Sequence, residues 1–156
     1  VYVLGDAFWK NEENSIRIME RLQGHKHLIQ GNHDRVKGKL RPYWESIEQY
    51  AEVNDENRLV ILSHYPILFY KNQHYGAVML YGHVHNTREW SLVEKWKKEQ
   101  WAMRIPSRLI NVGCMMAYMN YTPRTLDELL EANPQPMIKR IRKDGTNAGE
   151  NSNGEL

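Results

Sequence analysis

The sequence predicts an α/β domain, and two observations carry that reading. Short apolar, β-branched runs alternate with amphipathic stretches along most of the chain. Four of the runs are followed at once by residues of metal-ligand type. In an open α/β sheet the carboxyl ends of the strands are where ligands gather.

The elements follow in order. Val1-Tyr2-Val3-Leu4 reads as a first strand. Residues 12–22 read as a helix, because Ile16, Met19 and Leu22 fall on one face, and Gly24 is suited to end it. Leu28-Ile29 is a second short strand. Residues 42–53 predict a helix that tolerates Pro42 in its first turn. Leu59-Val60-Ile61-Leu62, Val78-Met79-Leu80-Tyr81 and Leu109-Ile110-Asn111-Val112 are further strands. Residues 90–101, rich in Lys, Glu and Trp, show no clean period. They predict an insertion or a loop with a helical turn, in which Trp96 and Trp101 pack. Thr125-Leu126-Asp127-Glu128 has the form of a capping box, which starts a short helix over 126–132. The domain is expected to span 1–140. Residues 141–156 have almost nothing to bury and predict a polar, disordered tail.

Composition narrows the function. Lys and Arg total 21 against 19 Asp and Glu, a formal net charge of +2, without the basic excess of a dedicated nucleic-acid binder. No apolar run is long enough to span a bilayer. The single cysteine, Cys114, excludes an internal disulfide and agrees with a reducing cytoplasm, the expected location. Cys114, Met115, Met116 and Met119 read as core packing or interface fill.

The chemistry sits after the strands. Gly5-Asp6, Gly31-Asn32-His33-Asp34, Ser63-His64-Tyr65-Pro66 and Gly82-His83-Val84-His85-Asn86 would bring a carboxylate, an amide oxygen and several imidazoles to one edge. Carboxylate with imidazole suits Mn, Fe, Zn or Ni better than Ca or Mg. His83 and His85 are two apart and point the same way in extended backbone. The glycines precede ligands where the backbone must turn tightly or approach closely. A carboxylate such as Asp6 can bridge two cations, and two metals about 3.5–4 Å apart can hold a phosphate and activate water. Singly, each motif has a plain reading: a turn aspartate, a surface ion pair, a buried histidine, a chance pair on a strand end. The ordered set of four makes the metal-site reading the stronger one.

In that order, the four motifs resemble motifs two to five of the calcineurin-like metallophosphoesterases, small bacterial and phage type. The Asn111-Val112-Gly113 stretch and residues 123–130 also resemble the end of those proteins. The resemblance implies two mixed β-sheets packed as a sandwich flanked by helices. It implies a binuclear site of divalent transition-metal ions, manganese above all, and hydrolysis of a phosphomonoester or phosphodiester small molecule by a metal-bound hydroxide. Asp6 would bridge both metals, Asn32, His64 and His83 would complete one site, and His85 would belong to the other. Asn32 and His33 would face the substrate. His33 would stabilise charge or protonate the leaving oxygen, and Asp34 would orient His33.

The family's opening Asp-x-His motif is not in the sequence, since only residues 1–5 precede Asp6. The chain therefore reads as N-terminally truncated, with one well-ligated metal site and one poor one. A catalytically impaired scaffold on the same fold is the alternative, and a nuclease has little support from the charge. Elsewhere, His25-Lys26-His27 lies at a strand's entrance and reads as a surface pair. His74 and Arg35 read as loop residues near the mouth of the site, and the basic run 139–143 as solvated.

Overall fold

The computed structural model describes residues 1–8 and 11–136. It is an α/β structure with two sheets. The first contains β1 (Tyr2–Val3), β2 (His27–Ile29) and β3 (Ser46–Glu48), in that order and parallel throughout. Tyr2 pairs with His27, and Leu28 with Ile47. The second contains β4 (Tyr50–Asp55), β5 (Arg58–Ser63), β6 (Val78–Tyr81) and β7 (Leu109–Asn111). Its β4–β5 pair is antiparallel and the other two pairs are parallel. Only this second sheet is mixed. In the first, helix α1 (Glu12–Arg21) and then a 3-10 helix over Gly38–Tyr43 each return the chain to run in the same direction.

Predicted helix α1 forms where its apolar spacing places it. Asn11 caps it by accepting from the Asn14 N–H at 3.1 Å, and Met19 is buried beneath it against Leu28, Leu40 and Trp44. Helix α3 (Leu126–Ala132) carries the predicted capping box. The Thr125 N–H donates to Glu128 Oε2 at 2.8 Å, and the Glu128 N–H to Thr125 Oγ1 at 3.3 Å.

Two of the expected elements differ. Residues 42–53 are not a helix but the end of a 3-10 helix followed by β3 and β4. The Glu56-Asn57 turn, with φ of 48° and 67°, closes a hairpin that pairs Ala51 with Leu62 and Val53 with Val60. Ala51 is buried while Tyr50, Glu52 and Asn54 are exposed, a period of two. Residues 90–101 belong to a regular helix, α2 (Arg88–Ala102), capped by Thr87. Its period was hidden because the buried face carries Val93, Lys97 and Gln100. Lys97 Nζ reaches Glu94 at 2.8 Å and lies 5.6 Å from the Trp101 ring centroid, while Gln100 accepts from Gln73. Trp96 packs against the cluster of Ile61, Met79, Tyr81 and Leu109.

Met116 and Met119 join the core around Ile29, Leu62, Leu80 and Ile110, but Cys114 is exposed and fills nothing there. No helix among the described residues is long and apolar enough to cross a membrane. The basic run 139–143 and the tail 141–156 lie outside the described residues.

Candidate metal centre

Four loops meet at the carboxyl ends of β1, β2, β5 and β6, and each brings one predicted ligand. Asp6, His64 and His83 offer ligand atoms that all lie within 4.8 Å of one another. His64 Nε2 is the hub, 3.0 Å from His83 Nδ1, 3.1 Å from Asn32 Oδ1 and 3.4 Å from Asp6 Oδ2. The other ring nitrogen, Nδ1, lies 2.8 Å from the Leu4 carbonyl oxygen. A carbonyl only accepts, so Nδ1–H donates to it and Nε2 is the ring nitrogen turned toward the cluster. Nε2 therefore faces an amide oxygen and a carboxylate oxygen, both acceptors. A proton on Nε2 or a metal cation among these atoms would relieve the repulsion between them. A cation bonded at about 2.1 Å spaces its ligand atoms roughly 3.0 Å apart at right angles and roughly 3.4 Å apart at tetrahedral angles. The three distances from His64 Nε2 and the donor types are compatible with a transition-metal ion.

Electrostatics point the same way at His83. Burial holds its imidazole pKa below the ordinary value, and the neighbouring His64 ring adds to that effect. A neutral imidazole is the form that ligates. Tyr65 stacks obliquely on His83 with centroids 4.4 Å apart and meets the His64 ring edge-on at 5.0 Å. Sequence reasoning gave Tyr65 no role, although its place beside His64 was the available signal.

The backbone is bent to make this possible. Asp6, His83 and His85 all have positive φ, at 53°, 42° and 49°. Left-handed backbone at non-glycine residues costs energy and gathers at functional sites. Gly31 is required by space rather than by torsion: a Cβ there would sit 2.6 Å from the Asp6 amide nitrogen and 2.9 Å from His64 Cε1.

Asp34 is 6 % exposed and binds the loops together. Its Oδ2 accepts from the Asp6 and Gly31 N–H groups and its Oδ1 from that of Ala7, each at 2.8 Å. Asp34 thus fixes the Asp6 loop against the Gly31 loop, a task beyond the expected one of orienting His33. His33 is exposed, and its own N–H donates to Asp6 Oδ1 at 2.9 Å. His85 is exposed and stays outside the three-residue cluster, although the Asn111 side chain ties its carbonyl down at 2.6 Å.

A solved structure shares this fold. The protein of unknown function AQ665 from Aquifex aeolicus is 25% identical, with a TM-score of 0.58 over 84% of this chain and 74% of that one. Neither a family model nor a curated protein matches the chain.

The remaining candidates sit apart from the cluster. His25 and His27 both meet the Glu45 carboxylate, at the entrance of β2. His74 is exposed in a 3-10 helix over Gln73–Tyr75. Arg35 is exposed beside a cleft of about 460 Å³ whose wall includes Asn32 and His33.

Proposed function

We propose that this chain is a metal-dependent phosphoester hydrolase whose two sheets form the helix-flanked sandwich of the calcineurin-like metallophosphoesterases. The observation that carries the reading is the convergence of Asp6 Oδ2, Asn32 Oδ1 and His83 Nδ1 on His64 Nε2. Mn, Fe, Zn or Ni suits such a donor set. Bound there, a divalent ion supplies Lewis acidity toward a phosphoryl oxygen and lowers the pKa of water.

The chain's own residues do the rest. Leu4 fixes the His64 tautomer, Asp34 fixes the loop that presents Asp6, and Tyr65 covers one side of His83. His33, exposed one residue beyond Asn32, would offer a proton to the departing oxygen. Asp6 and His85 would serve a second metal. The exposed Cys114 suits a cytoplasmic setting.

Metal content tests the reading. After manganese loading and desalting, the parent should retain metal and His64→Ala should lose it. About one ion per chain assigns the Asp6–Asn32–His64–His83 site alone, and about two would add the His85 site. A folded parent that retains none sinks the hydrolase reading. Retained metal without manganese-dependent turnover of p-nitrophenyl phosphate or its bis ester sinks the catalytic part of it.

A further inference from the structure

Beyond the metal cluster, His33 and Asn32 form one wall of the 460 Å³ cleft, a volume typical of small-molecule sites. Resting on the hydrolase reading, we propose that this cleft receives the departing half of the substrate, and that this half is a nucleotide.

The first argument is directional. In an in-line displacement the attacking and departing oxygens lie on opposite sides of phosphorus. Water's oxygen forms one P–O bond while the bond to the departing oxygen breaks. That oxygen takes the proton offered by His33, and the proton shed by the water restores the balance. The departing group therefore lies on the acid's side. Asn32 and His33 line the cleft, while Asp6, His64 and His83 are not among the residues that do.

The second argument is chemical. Phe8 is half-buried, its ring centroid 6.5 Å from that of Trp44, and packs with the cluster that contains Leu40 and Trp44. Backed in this way, the ring can offer a face to a flat ligand ring. Leu40, 6 % exposed, adds apolar surface. Arg35 and Lys37 are exposed at the same cleft, and among the described residues neither side chain has a hydrogen bond or ion pair. Glu12 is the exposed acid there, since the Asp34 oxygens are engaged by three amides. Two uncommitted cations against one acid favour an anionic departing group, and guanidinium matches phosphate in geometry. The Glu12 carboxylate can accept from a base amino group or a sugar hydroxyl. A flat ring, an anionic group and hydrogen-bond donors together describe a nucleotide.

Calorimetric titration of the metal-free chain with AMP, adenosine and inorganic phosphate tests this without turnover. AMP should bind at least tenfold tighter than either fragment. The Arg35→Ala/Lys37→Ala variant should bring AMP down to the level of adenosine. Phe8→Leu, which keeps an apolar residue on the core, should weaken AMP and adenosine alike and leave phosphate unchanged. AMP bound no better than phosphate, or as tightly by the double variant as by the parent, overturns the proposal. Manganese retention by the same preparations, loaded separately and desalted, separates the two readings. Metal retained without a preference for AMP overturns the cleft assignment alone, whereas AMP bound by a chain that retains no metal overturns the hydrolase reading on which the departing-half role rests.

Discussion

Replacing Asp34 by asparagine should cost far more than a catalytic partner's removal would. The carboxylate accepts three backbone N–H groups at 2.8 Å from a position 6 % exposed. Asparagine keeps one oxygen, which can serve the Asp6 and Gly31 amides. Its amide nitrogen then faces the Ala7 N–H, donor against donor, leaving a buried donor unpaired at about 1–3 kcal/mol. The two surviving bonds lose their charge assistance, roughly halving bonds to a charged acceptor worth about 1.5–3 kcal/mol each. The sum is about 2.5–6 kcal/mol, a large part of a typical stability of about 5–15 kcal/mol. Urea unfolding should show a midpoint lowered by about 1.2–3 M for a slope near 2 kcal/mol/M. Manganese retention should fall as well, because the same bonds set the Asp6 loop. An Asp34→Asn protein with the parent's midpoint and metal content, slowed only in turnover, would refute this reasoning and return Asp34 to orienting His33 alone.

Other outcomes follow from the same geometry. Gly31→Ala should fold but lose metal, since its Cβ would press on the Asp6 amide and the His64 ring; undiminished retention in elemental analysis would contradict the packing described. His33→Ala should keep the metal and slow turnover most for esters with poor leaving groups, and metal loss equal to that of His64→Ala would make His33 a ligand. Thr125→Ala removes the cap of α3 and should cost about 1 kcal/mol in thermal or urea unfolding. Burial raises the Tyr70 phenol pKa from 10.0 to about 12 and pushes those of Tyr81 and Tyr118 up further. A phenol with a raised folded pKa contributes stability that is whole below pH 10 and lost as the pH climbs toward 12 and beyond. Absorbance at 295 nm should show these three tyrosines ionising only in a late step that coincides with alkaline unfolding.

The strands with one apolar run apiece were legible because burial on both sides leaves nothing polar in them: Val78-Met79-Leu80-Tyr81 is buried throughout. The clustered Asp6, His64 and His83 were legible for the related reason that they follow such runs closely. What escaped was structure whose buried residues are polar or small. Helix α2 hides Lys97, which donates to Glu94, and Gln100, which accepts from Gln73. Strand β4 buries only Ala51 fully, so its period of two was faint beside the helical character of its neighbours. At the site, the Asp34 side chain spends its oxygens on backbone amides from three residues, and no side-chain motif announces a bond to a main-chain group.

Residues 46–55 enter the first sheet as β3, bend at Gln49 and continue in the second as β4. The cluster spans the same division, with Asp6 and Asn32 following strands of one sheet and His64 and His83 strands of the other. An ion held there would act as a further rivet between two sheets already joined by that bend and by the core around Ile29 and Leu62. Its binding energy would then be felt as cohesion between sheets, about 2.7 kcal/mol at a hundredfold excess over its dissociation constant. Stripping the metal should loosen the amides of both sheets near this edge together, as a single opening event in hydrogen exchange.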